Sequence, residues 1–399
     1  MHLSAPFSTA AISLLFFMGE LSAVGFRLPN QDPEAIARGN AFTATADNPS
    51  ALYYNPAGIT QLEGHHLSVG VYAISAGFDY TSPLGGSAKA DSAFQFAPQV
   101  YYVSSPADSR WSFGVGLFAP YGLAVDYGRD TPISTIAIEG ELLFATVNPT
   151  VAYQVTPDFS VGVGLALNYS EISLTRALGL SPGDAFSFEG DDTSLGFNLG
   201  ALWQPCDQWS MGLNFRSATK MNYEGSSSVT GLPDSETDTG VRFPMNLALG
   251  LSYRPTSKWN IEAGIDWTDW DSLNVAVLEG TAFGNVPFPF NYESGFMYQL
   301  GVTRKFEQGY FLSAGYIYSE NSAPDLNFTP LNPDSDLHLW SLGFGRKDED
   351  GGWAFSYTVA YNGGRDVEGS ASGSLIGESA DGHYETLNHA LNLAYHFSF

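Results

Sequence analysis

The sequence is poor in everything a helical membrane protein or a nucleic-acid binder would need. Past the N-terminus there is no run of eighteen apolar residues, so no transmembrane helix is expected there. Lys and Arg number 16 against 42 Asp and Glu, a formal charge of −26. Binding by phosphate neutralisation is therefore excluded, and no nucleic-acid partner is expected. Cys206 is the single cysteine, which rules out an intramolecular disulfide and a Cys-based metal site. Charged residues make up only 15% of the chain. Mean hydropathy is close to zero, far below that of helical membrane proteins. What is abundant is aromatic residues, at 14%, and glycine, at 43 residues. That pairing suits transmembrane strands, whose Tyr, Trp and Phe form interfacial girdles. A chain of 399 residues can make one large barrel or two to three soluble domains.

Residues 10–24, AAISLLFFMGELSAV, carry an apolar core too short to span a bilayer and suited to a secretory signal. Ser22, Ala23 and Gly25 are small, and cleavage is expected after Ala23 or Gly25. The n-region MHLSAPFST contains His2 but no Lys or Arg.

From His65 onward, alternating segments follow one another with turn residues between them. They are His65–Tyr80, Ala93–Ser104, Trp111–Pro120, Glu141–Val155, Phe159–Ser173, Thr193–Gln204 and Gln208–Tyr223. Arg242–Arg254, Lys258–Trp270, Glu293–Phe306, Gly309–Glu320, Asp336–Arg346, Gly352–Asn362 and His383–Phe399 complete the set. The count of about fourteen is even, as closure of a bacterial single-chain barrel requires. Tight links such as Thr156-Pro157-Asp158 and Pro205-Cys206-Asp207 alternate with long ones such as Leu174–Asp192. Short periplasmic turns and long external loops produce that rhythm. The fold class is therefore all-β: a transmembrane antiparallel β-barrel of the Gram-negative outer membrane. In lipid, a closed barrel satisfies every backbone group without leaving an edge. In the last strand Leu391, Leu393, Tyr395, Phe397 and Phe399 share one face at period two. Asn392, His396 and Ser398 then face the lumen. A strand ending in Phe resembles the signal read by outer-membrane assembly machinery, so Tyr395, Phe397 and Phe399 are assigned that role.

Residues 26–64 do not alternate. Asp32-Pro33, Asn48-Pro49 and Asn55-Pro56 each join a good N-cap to Pro at the first helical position. Three short helical turns are expected, placed inside the barrel as a plug. The chain thus divides into a signal peptide (1–23), an N-terminal hatch (24–64) and a barrel (65–399).

Gly25-Phe26-Arg27-Leu28, Ala37-Arg38-Gly39, Ala46-Asp47-Asn48 and Asn55-Pro56-Ala57 resemble the opening of FadL-type long-chain fatty-acid transporters. Arg242-Phe243-Pro244, Trp267-Thr268-Asp269-Trp270, Tyr316–Pro324 and the last strand extend the resemblance over the mature chain. It implies fourteen strands with a hatch. Outer loops would catch a hydrophobic ligand, a lumenal pocket would hold it, and a gap at a kinked third strand would release it sideways. Asn55, Pro56 and Ala57 match the hatch motif beside that gap. In the third segment Gly114 and Gly116 weaken a strand, and Pro120 removes a ladder donor. The same glycines could instead serve barrel curvature.

The candidate capture loop, Leu174–Asp192, holds Leu174, Leu178, Leu180, Phe186 and Phe188. Exposed apolar residues in an outer loop suggest an apolar ligand, or packing on the neighbouring loop Glu224–Val241. Arg176 matches the arginine that contacts the head group in the family's fatty-acid binder. The stretch that would supply that protein's lysine, Pro287–Glu293 (PFPFNYE), has no basic residue. A neutral hydrocarbon or aromatic is therefore the alternative to a long-chain fatty acid. Acidic residues such as Asp184, Glu189, Asp191 and Asp192 read as solvated loops, or as bridges through divalent cations to lipopolysaccharide. Outer-membrane lipid, lipopolysaccharide and the assembly machinery are the remaining expected partners.

No catalytic site and no cofactor is read. Gly179-Leu180-Ser181-Pro182-Gly183 has the form of a nucleophile elbow, but Pro182 lacks the N–H that an oxyanion hole would use. Gly114–Ala119 has the form of a dinucleotide loop, but Pro120 and Gly122 forbid the helix that should follow. His65 and His66 are adjacent on a strand and point to opposite faces. Trp259, Trp267 and Trp270 read as girdle residues, and Asp266, Asp269 and Asp271 as carboxylates meeting water or calcium. The rival functions are an outer-membrane esterase, for which no Ser–His pair stands out, and a general porin, which would not need a plug.

Overall fold

The computed structural model describes residues 25–90, 94–371, 374, 376 and 378–399. The secretory signal and the Ala23 junction lie outside the described residues, as does Ala93.

Among the described residues, fourteen antiparallel strands close a barrel. They are β1 (Gly64–Thr81), β2 (Gln95–Ser105), β3 (Trp111–Phe118), β4 (Glu139–Thr156), β5 (Phe159–Arg176), β6 (Phe186–Cys206) and β7 (Trp209–Arg216). β8 (Asn246–Thr256), β9 (Trp259–Thr268), β10 (Gly295–Lys305), β11 (Tyr310–Ser319), β12 (Leu337–Asp348), β13 (Gly351–Tyr361) and β14 (Gly382–Ser398) follow. Each pairs with its neighbour in sequence, and β14 closes on β1 from His66↔Ser398 to Thr81↔His383. Turns of two residues join β4 to β5, β6 to β7, β8 to β9 and β12 to β13. On β14, Leu391, Leu393, Tyr395 and Phe397 point outward while Asn392 and His396 are buried in the lumen, and the terminal Phe399 is exposed.

Several segments expected as loops are strands. β5 runs to Arg176 and β6 starts at Phe186, so only Ala177–Ala185 of the presumed capture loop is irregular. Thr219–Val229 continues β7 outward after a break, Ser235–Phe243 leads into β8, and Val275–Thr281 with Gly284–Pro289 forms a hairpin. About 9–11 residues cross the bilayer; β6 has 21. The excess stands in water, where the outward face has no reason to be apolar. There Glu171 lies opposite Asp191, Asp191 opposite Glu224, Glu224 opposite Asp238 and Asp238 opposite Glu279. All five are exposed.

Residues 26–63 fill the lumen and are mostly buried. α1 (Pro33–Ala37) starts where Asp32 accepts the N–H groups of Glu34 and Ala35. Asn55 caps the 3₁₀ turn Pro56–Gln61 through the N–H of Ala57. Asn48 accepts the N–H of Ser50 at 2.9 Å, and this turn delays α2 to Ala51–Tyr54. The wall receives the hatch through polar contacts. Arg27 makes a bidentate ion pair with Asp266 on β9, at 2.7 and 2.8 Å, and a bond to Thr268. Lys347 on β12 meets Glu34 at 2.7 Å. Glu262 accepts from the Ala44 N–H at 2.8 Å and from the Thr45 hydroxyl.

Candidate ligand cavity and sidewall break

Above the hatch lies an apolar cavity of about 150 Å³. Its floor is Phe26, whose ring meets those of Trp270, Phe243 and Tyr121 edge-on, with centroids 4.9 to 6.2 Å apart. Such contacts are favoured by the ring quadrupole. Trp270 is fully buried behind Phe26, so it is not a girdle residue. Asp266 is also buried, by pairing with Arg27, instead of meeting water or calcium.

Leu174, Arg176 and Phe188 line the cavity from β5 and β6. The Arg176 guanidinium lies 5.5 Å from the ring centres of Phe186 and Phe288. Phe186 and Leu178 are buried in the surrounding core without lining the space. Leu180 is 72% exposed on the outer tip, away from the cavity. Pro287, Phe288, Pro289 and Phe290, from the outer hairpin, complete the wall with apolar surface where a second cation was sought.

Asp184 does not face solvent. Its carboxylate accepts the N–H groups of Leu178, Gly179, Leu180 and Ser181, which holds it below the usual carboxylate range despite the cost of burial. Among the described residues no three His, Cys, Asp or Glu side chains converge on a point that could hold a metal ion.

The barrel wall is interrupted at the third strand. β2 and β3 pair only from Ser104↔Phe113 to Val100↔Leu117. After Phe118 the chain leaves the sheet, and it returns as Gly122–Asp126, paired to β4 alone. Gln95–Gln99 of β2 thus face no strand on that side. Pro120 stands at this break, but Gly114 and Gly116 do not. They lie in the paired run, where a side chain would collide with Leu52 of the hatch, or crowd Phe118 and Tyr101.

The hatch satisfies the backbone of the break. The N–H of Leu28 donates to the Pro120 carbonyl at 2.8 Å, and that of Gly122 to the Phe26 carbonyl at 3.0 Å. Gln31 donates to the Ala119 carbonyl at 2.6 Å. Asn55, Pro56 and Ala57 sit elsewhere, against a directly opposed glycine pair, Gly162 on β5 and Gly200 on β6. A Cβ on either glycine would come within 2.5 Å of Pro56 or Asn55. Asn55 also donates to the Thr43 and Ala201 carbonyls. Phe26, Leu28 and Gln31 were missed as break residues; the break closes through backbone groups and one amide, which leave no motif.

A family model described as "Outer membrane protein transport protein (OMPP1/FadL/TodX)" matches residues 14–399. The long-chain fatty acid transport protein of Escherichia coli K12 is 22% identical over 390 residues, covering 84% of this chain and 87% of that one. Outer membrane protein P1 of Haemophilus influenzae Rd is 22% identical over 396 residues, covering 84% and 85%. Among solved structures, a Pseudomonas aeruginosa FadL homologue superposes with a TM-score of 0.83 at 18% identity, covering 94% of this chain and all of that one. A deltaS2 mutant of the TodX monoaromatic hydrocarbon channel gives 0.77 at 19%, covering 94% and 100%. Identities this low establish the fold alone.

Proposed function

The chain belongs to this outer-membrane transport family, and from that premise we propose that it takes up long-chain fatty acids. It is a carrier of hydrophobic compounds in the outer membrane and not an enzyme. The observation that supports the finer reading is the cavity itself: apolar on nearly every side, floored by the hatch, with Arg176 as the cation on its wall. An acyl tail gains roughly 0.8 kcal/mol for each CH₂ taken out of water, and the guanidinium meets the carboxylate. Release follows through the break beside β3, where Phe26, Leu28 and Gln31 must yield.

Arg176→Ala is expected to weaken binding of oleate about tenfold or more, the worth of a charge-assisted hydrogen bond, and to leave an alkane of equal length nearly unaffected. Tryptophan-fluorescence titration of the purified barrel measures both. Equal losses would remove Arg176 from the head-group role. Neutral aromatics are the second reading, favoured by the cation-free Pro287–Phe290 wall. Preferential binding of toluene over oleate would select it.

A further inference from the structure

A second cation lies deeper in the lumen. Arg216, the last residue of β7, is 7% exposed. Its Nη2 donates to the Tyr53 carbonyl at 3.2 Å. Its guanidinium lies 4.7 Å from the Tyr53 ring centre and 5.5 Å from that of Phe118. Among the described residues no carboxylate pairs with it. A buried charge normally has such a partner, because burial strips its hydration. Arg216 opens onto a small polar cavity of about 20 Å³ shared with Arg27, Asn214, Asn246 and Asp266. Asp266 is already engaged by Arg27 through both oxygens. The pocket therefore holds two cations and one anion. Asn214 Oδ1 and Asn246 Oδ1 are buried there without a hydrogen-bond partner. The space exceeds what one water-sized group needs, about 10–15 Å³.

The position matters as much as the charge. Phe118 ends the paired run just before the sidewall break. Arg27 follows Phe26, the floor of the apolar cavity. The polar pocket thus adjoins both the holding cavity and the exit. We propose that Arg216 is a second station for the carboxylate of an acidic amphiphile, met after Arg176 and before the break. As a step in transit it rests on the fatty-acid reading above. A hydrated carboxylate fits the pocket's chemistry: its oxygen accepts from Arg216, and its water donates to the two amide oxygens. A bare hydrocarbon satisfies neither.

Two measurements on the purified full barrel test this. In the first, sodium formate replaces sodium chloride at constant ionic strength while the melting temperature is followed. Formate raises it for the native chain and for Arg216→Lys, and not for Arg216→Met. An identical response of the native chain and Arg216→Met overturns the site. In the second, proteoliposomes report flux. Arg216→Met slows oleate about tenfold, the worth of one charge-assisted bond, with oleate affinity and hexadecane flux unchanged. Equal slowing of oleate and hexadecane makes Arg216 a brace between hatch and wall, and overturns the station. Weakened oleate affinity would merge the pocket with the upper cavity and also overturn it. If the native chain carries no oleate while the formate response still depends on Arg216, the cargo reading fails and the carboxylate site stands.

Discussion

The two halves of the lumen are built on different physics. Toward the periplasm, hatch and wall meet through directional bonds: Arg27 with Asp266, Lys347 with Glu34, Asn55 with the Ala201 carbonyl. Toward the outside, the cavity is bounded mostly by rings and aliphatic side chains that meet through apolar contact. Directional bonds specify one arrangement; apolar contact tolerates many. The lower half is therefore a stopper with one specified arrangement, parting only at its few contacts with the break, and the upper half a pocket that can reshape around a guest. The border falls between two consecutive residues, since Phe26 belongs to the pocket and Arg27 to the stopper.

The strongest way to break this contrast is to delete residues 26–60. The barrel, which pairs strand to strand from Gly64 onward, should still assemble and become permeable to small sugars. Liposome swelling measures this, and unchanged impermeability would mean that the hatch is no plug. Next in size is Arg27→Leu. It leaves Asp266 buried without a partner, a loss on the order of 3–5 kcal/mol. Limited proteolysis should then cut near residue 27 while the barrel band persists. Continued protection would place the anchor elsewhere. Leu174→Trp, which intrudes on the cavity, should lower oleate affinity and leave the hatch protected. A joint loss of both would erase the proposed boundary.

The smallest expected effect concerns Asp334, in the outer segment between β11 and β12. Burial pushes its carboxyl up to about 6, although the Ser322 N–H and Arg365 pull the other way. A raised carboxyl favours the folded state when protonated. Its contribution is present below its unfolded value, about 4, is lost as pH rises toward 6, and is absent at pH 7. Asp334→Asn should flatten the melting temperature between pH 4 and 6. An unaltered slope would assign that pH dependence to other groups.

The membrane-crossing strands were legible because lipid outside and polar lumen inside force alternation, as at Leu391, Leu393, Tyr395 and Phe397. The same rule hid the strands above the membrane. At Glu171, Glu189 and Asp191 the outward face meets water while Phe186 and Phe188 pack inward, so the alternation runs in the opposite phase and reads as loop. The caps at Asp32 and Asn55 were legible because capping is local. The Arg27–Asp266 pair, 239 residues apart, has no local signature. Arg176 came from resemblance. Arg216 was invisible, since nothing in Asn214–Arg216 tells that the barrel buries it.

The row of carboxylates from Glu171 to Glu279 gives the rim a temper of its own. Directly opposed side chains stand roughly 5 Å apart, less than the screening length of about 8 Å at physiological salt. Each strand there pushes its neighbours away while the ladder bonds hold them. This arc of the mouth is thus a band of like charge, felt more strongly in dilute water and damped in brine, above a trunk whose oil-facing belt carries no such row.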